Sequence, residues 1–162
     1  TFYSAIWDAG GDDTIRHSGP AAAVIDLRAA PLTYAPNGGG YVSYVAGIHG
    51  GFTIAAGVVI EAASGGSGDD TIIGNEWANS LIGNRGHDSL SGGDGDDTLD
   101  GGWHNDSLSG EAGDDRLIGG NGFDTLDQFL ERQLRDPVRL QIAISPQAGE
   151  FLNSGIAFVS IA

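Results

Sequence analysis

The chain has 162 residues, 22 acidic against 7 basic, for a formal net charge of −15. That balance argues against nucleic acid and anionic membranes as partners and for cations. With no cysteine, disulfides and thiolate metal sites are excluded, so a metal site must be built from oxygen or imidazole, which favours a hard ion.

The chain opens on Thr1 without the basic-then-apolar pattern of an export signal, which predicts a processed product or a piece of something longer. Its longest apolar run, Phe52 to Ile60, falls far short of the roughly 18 to 20 residues of a spanning helix, so no membrane insertion is expected. Over residues 1–64, short apolar–polar alternations at Thr1 to Trp7, Ala23 to Leu27, Tyr41 to Ile48 and Phe52 to Ile60 predict strands. Together they form an N-terminal β cap over the open end of a repeat array that begins at Gly65, with Trp7 in the core of the cap.

From Gly65 the chain reads in nines: GGSGDDTII, GNEWANSLI, GNRGHDSLS, GGDGDDTLD, GGWHNDSLS, GEAGDDRLI and GGNGFDTLD, ending at Asp127. All seven open on Gly, all carry Ile or Leu eighth, and six carry Asp sixth, with Asn79 the exception. A glycine-rich nonapeptide of this form is a known signature of a calcium-binding parallel β-helix. The spacing predicts six turning residues and a three-residue strand per repeat, two repeats closing one coil. With coils stacked roughly 4.8 Å apart, the Ile and Leu residues fall into one interior column.

On this reading, sixth-position Asp residues line up along two edges: Asp70, Asp88, Asp106 and Asp124 on one, Asn79, Asp97 and Asp115 on the other. Unit charges a few ångströms apart repel by about 1 kcal/mol in water and by more where water is excluded, so the columns need a counter-ion. One buried Ile or Leu contributes roughly 1.5 to 3 kcal/mol, while ordering a backbone costs on the order of 1 to 2 kcal/mol per residue, which predicts folding coupled to metal. Calcium suits the turns, because it accepts six to eight oxygens flexibly and glycines can aim several carbonyls at one point.

After the repeats, QFLERQLR predicts two helical turns with Asp127 as N-cap and Asp136-Pro137 as the stop. VRLQIAI (Val138 to Ile144) and GIAFVSIA (Gly155 to Ala162) predict strands, so residues 128–162 form a C-terminal cap. The expected whole is all-β: a right-handed parallel β-roll over residues 65–127 between a β-rich cap (1–64) and a short helix and strand cap.

The repeats, with AIWDAGGDDTI (Ala5 to Ile15), VIDLRA (Val24 to Ala29) and GVVIEAASGGSGDDTIIGN (Gly57 to Asn75), resemble the C-terminal domain of the serralysin metalloproteases. The resemblance implies a secreted, calcium-folded roll with several ions, exported unfolded by a type I apparatus, with residues 128–162 serving as secretion signal, structural cap or both. It implies ions between neighbouring turns, held by Asp carboxylates and by backbone carbonyls elsewhere. On the first edge Gly66, Gly68 and Asp70 would meet Gly83, Arg85 and Asp88. Asn84, Gly86 and Asp88 would meet Gly101, Trp103 and Asp106, and Gly102, His104 and Asp106 would meet Gly119, Asn121 and Asp124. On the other edge Gly93, Gly95 and Asp97 would meet Gly110, Ala112 and Asp115. The GNEWAN repeat implies a weak or empty site. A further site matches Gly11, Asp13, Val59 and Glu61, and Asp8 with Gly10 match part of another.

No HExxH is present, and His17, His49, His87 and His104 lack ligand spacing, so no zinc protease centre can be built here. No Ser-His-Asp or Cys-His arrangement is legible either, so this chain has no catalytic site of its own. The resemblance allows a parent zinc metalloendopeptidase with its chemistry upstream, fused or cognate to this module. The repeats also resemble those of alginate epimerases, which implies a glycan partner, with Trp77 and Trp103 as candidate stacking surfaces. The −15 charge disfavours an anionic polysaccharide unless calcium bridges the two.

Overall fold

The computed structural model describes residues 3–7, 10–31 and 40–127. The strands are β1 (Tyr3–Ile6), β2 (Thr14–Arg16), β3 (Ala23–Asp26), β4 (Tyr44–Val45), β5 (Gly51–Ile54), β6 (Ala62–Ser64), β7 (Thr71–Ile73), β8 (Ser80–Arg85), β9 (Ser89–Asp94), β10 (Thr98–Trp103), β11 (Ser107–Ala112), β12 (Arg116–Asn121) and β13 (Thr125–Asp127). Even and odd repeats feed different sheets. One runs β12-β10-β8-β6-β2 and the other β13-β11-β9-β7-β3-β4, and all their pairings are parallel except β3 with β4. Leu81 pairs with Leu99 and Leu99 with Leu117, so one coil is two nonapeptides, as expected of a parallel β-roll.

Two expectations are corrected. The eighth-position side chains form two facing columns rather than one, because successive repeats lie in opposite sheets. Leu81, Leu99 and Leu117 project from one sheet and Ile72, Leu90 and Leu108 from the other, each no more than 3% exposed. Leu126 packs against them half-buried. The strands β8 to β12 are also six residues long, not three, and run from position seven of one repeat into position three of the next. The first-position glycines Gly83, Gly92, Gly101, Gly110 and Gly119 are therefore strand residues, and none of the seven has a φ in the left-handed region.

The segment before Gly65 closes the roll by extending its sheets. Ile15 of β2 registers with Ala63 of β6, which registers with Leu81, while Ile25 of β3 registers with Ile72. β1 and β5 form a separate parallel pair. The strands β2 and β6 lie outside the predicted alternations, and of the Phe52 to Ile60 run only the part to Ile54 is strand, although Val58 and Ile60 are buried. Trp7 is not cap core: it is 79% exposed. The helix and strands expected beyond Asp127 lie outside the described residues. Among the described residues no helix is long and apolar enough to cross a membrane.

Candidate metal centre

The sixth-position residues form a hydrogen-bonded ladder along each edge. From the third repeat on, one Oδ of each accepts the backbone N–H of its counterpart one coil earlier: Asp70 N to Asp88 (2.8 Å), Asp88 N to Asp106 (2.8 Å) and Asp106 N to Asp124 (3.0 Å). The other edge repeats this with Asn79 N to Asp97 (2.7 Å) and Asp97 N to Asp115 (3.0 Å). Asp13 N to Glu61 Oε2 (2.8 Å) continues the pattern, which puts Glu61 in the place of a repeat Asp.

The ladder uses one carboxylate oxygen. Among the described residues, the second oxygen of Asp88, Asp97 and Asp106 is buried without a hydrogen-bond partner. Burial, opposed by the backbone hydrogen bond and reinforced by neighbouring acids, pushes the Asp88 and Asp97 carboxyls up to about 7 and Asp106 to about 6. Buried acceptors of this kind ordinarily have a partner, and an oxygen-seeking cation is one.

Close packing explains the invariant first-position glycine. A Cβ on Gly83, Gly92, Gly101, Gly110 or Gly119 would collide with the carboxylate of the Asp five residues on. The second and fourth positions are where glycine serves conformation. Gly86, Gly93, Gly95, Gly102, Gly113, Gly120 and Gly122 have positive φ, as do the non-glycine residues Asn84 (78°), His104 (79°) and Glu111 (64°). Each of these three side chains reaches back a coil: Asn84 Nδ2 to the Gly65 carbonyl (2.7 Å), Gly86 N to His104 Nδ1 (3.4 Å), and Ser91 to Glu111. His104 thus takes the backbone conformation of the glycine it replaces.

The turns that carry the predicted sets stack in register. Asn84 and Arg85 pair with Gly102 and Trp103, which pair with Gly120 and Asn121, while Gly93 and Asp94 pair with Glu111 and Ala112. Several predicted carbonyls also accept one main-chain N–H: Gly66 from Arg85 (3.5 Å), Ala112 from Gly95 (2.8 Å) and Asn121 from His104 (2.7 Å). Each keeps a second lone pair. Gly66 and Gly68 depart from the later repeats, with φ outside the left-handed region, and Gly66 N donates to Asp70 Oδ2 (2.7 Å) while Ala23 N donates to its Oδ1 (2.7 Å). Asp70 therefore has both oxygens engaged. Asp13 and Glu61 meet, with Gly10 and Gly11 on the turn just before Asp13, while Val59 lines a groove beside Leu27 and Trp77. Asp8 lies outside the described residues.

Among the described residues no three His, Cys, Asp or Glu side chains gather where a metal could sit. A metal on these edges would thus be held largely by carbonyls with one or two carboxylates, which suits calcium rather than zinc. Sequence reading missed the amide donors of Asn75 and Asn79, whose only signal was Asn79 standing where Asp was due.

A serralysin of Photorhabdus luminescens is 43% identical over 76 residues, covering 46% of this chain and 14% of the relative. Serralysin G of Dickeya chrysanthemi is 44% identical over 71 residues, 44% and 13% of the two chains. The metallopeptidase AprA of Pseudomonas marginalis is 41% identical over 78 residues, 48% and 14%. The matched part is thus about a seventh of each relative's length. Residues 2–150 match the family described as Peptidase M10 serralysin C terminal, and the chain belongs to that family.

Proposed function

We propose that this chain is a calcium-binding module, disordered while calcium is scarce and folded once the ion is plentiful outside the cell. The observation that carries the reading is the set of buried carboxylate oxygens on Asp88, Asp97 and Asp106, which no group among the described residues satisfies. Calcium between coils would neutralise them and draw the glycine-turn carbonyls inward, and Asp97, Asp106 and their register partners would hold it. Binding to the folded state alone stabilises it by mass action, so calcium near millimolar outside the cell drives folding where low cytosolic calcium does not.

Transit through a type I secretion apparatus in the unfolded state, with folding once outside, fits that switch, and a secreted location goes with it. The serralysin and metallopeptidase names of the relatives support a parent zinc protease whose chemistry lies outside this chain, with this roll as its folding module. The test is thermal unfolding in chelator, calcium and magnesium. Calcium is expected to raise the midpoint by at least 10 °C and magnesium by far less. Equal midpoints in all three would refute the reading.

A further inference from the structure

We propose that the second repeat carries a built-in substitute for an ion: the side-chain amides of Asn75 and Asn79 stand where a cation would otherwise gather carbonyls. The inference rests on the calcium reading above and names the rung at which calcium is not needed.

Asn79 occupies the Asp register, because its N–H donates to Asp97 Oδ1 (2.7 Å) as the ladder requires. Its own Oδ1 accepts the Asn75 N–H (2.7 Å). Its Nδ2 then faces the carbonyls of Ile60 and Glu61, 3.3 Å from each. Asn75 adds a second amide, with Nδ2 donating to the Ile60 carbonyl (2.8 Å) and Oδ1 accepting the Trp77 N–H (2.9 Å). Carbonyls only accept, so both amides are oriented without ambiguity. Asn75 and Asn79 are 9% and 4% exposed, so these bonds lie out of competition with water.

At Asp88, Asp97 and Asp106 the second carboxylate oxygen, Oδ2, is an acceptor with no donor among the described residues. At Asn79 the matching oxygen, Oδ1, accepts the Asn75 N–H, the ladder oxygen is replaced by the Nδ2 donor, and the polar groups close on one another without charge. The departure of GNEWAN from the repeat pattern is therefore a design for a metal-free rung. It fastens the first repeats to residues 60 and 61, a base on which calcium-dependent coils can stack.

The test is a count of bound calcium by atomic emission after dialysis, on the wild type, Asn79→Asp, and the double variant Asn75→Gly, Asn79→Asp that gives the second and sixth positions of the first repeat. The double variant is expected to bind one more ion per chain than the wild type, and to melt below the wild type in chelator but not in calcium. Asn79→Ala is expected to melt lower in both conditions and to gain no ion. An unchanged count in both Asp variants overturns the proposal, as does a double variant that calcium cannot fold or an Asn79→Ala variant that calcium fully rescues. A wild type that binds no calcium is a separate outcome: it removes the calcium reading, and the substitute with it.

Discussion

Gly92→Ala is expected to destabilise the roll by about 3 kcal/mol, the upper end of the usual cost of overpacking, in calcium and in chelator alike. Gly92 has no left-handed φ to lose, so backbone conformation contributes nothing to the effect. The added Cβ would instead collide with the Asp97 carboxylate and lie 2.8 Å from the Gly110 carbonyl oxygen. Neither can retreat, since Asp97 is held by the ladder from Asn79 N and Gly110 belongs to the next coil of the sheet. Gly57→Ala provides the contrast: its φ is +80° with no atom within 4 Å of the new Cβ, so only about 1 to 2 kcal/mol of backbone strain is expected. Chemical denaturation of both variants decides the matter. Equal costs would mean that the first glycine of each repeat serves the turn and not the close approach.

Asp97→Asn is expected to act in opposite directions on the two states of the protein. In chelator near pH 8 it should stabilise, because it removes a buried carboxylate while keeping an oxygen to accept the Asn79 N–H. In calcium it should destabilise and lose one bound ion. Each effect is on the order of 1 to 3 kcal/mol, the cost of a buried polar group without its partner. The pH dependence comes from the sign of the shifts. Asp88 and Asp97 titrate near 7 in the fold and Asp106 near 6, all raised above the ordinary 3.8, so between those values the fold holds more protons than the unfolded chain. Metal-free stability therefore falls as pH rises from about 4 to about 7, and the slope should flatten in Asp97→Asn. Calcium, which needs the ionised form, should bind more weakly as pH falls through the same range. Denaturation midpoints from pH 4 to 8, with and without calcium, measure both trends, and a midpoint that rises with pH in chelator would contradict them.

Much of the fold was legible because a nine-residue period ties chemistry to place. The eighth-position Ile and Leu had to be interior and the sixth-position Asp residues had to stack, whatever the strand limits. The assignment of turn and strand failed at the first glycine, since glycine reads as a turn residue in sequence. In the roll it marks a strand position whose missing Cβ makes room for a carboxylate. Trp7 failed for a related reason: alternation marks a strand but not which face finds a partner. The candidate site was legible in its Asp residues and its register. It was not legible in Asn75 and Asn79, because a substitution that removes a ligand and one that replaces the ion look alike until the carbonyls of Ile60 and Glu61 are in place. Nor could spacing distinguish Asp70, satisfied by two main-chain amides, from Asp88, which has an oxygen left over.

The central claim, that calcium completes this fold, is tested most directly by far-UV circular dichroism of the chelator-treated protein during a calcium titration, with magnesium in parallel. A cooperative gain of β signal with calcium, absent with magnesium at the same concentration, is the expected result. A full β signal in chelator that calcium leaves unchanged would show that the chain satisfies its own buried carboxylates, and the calcium switch would have to be given up.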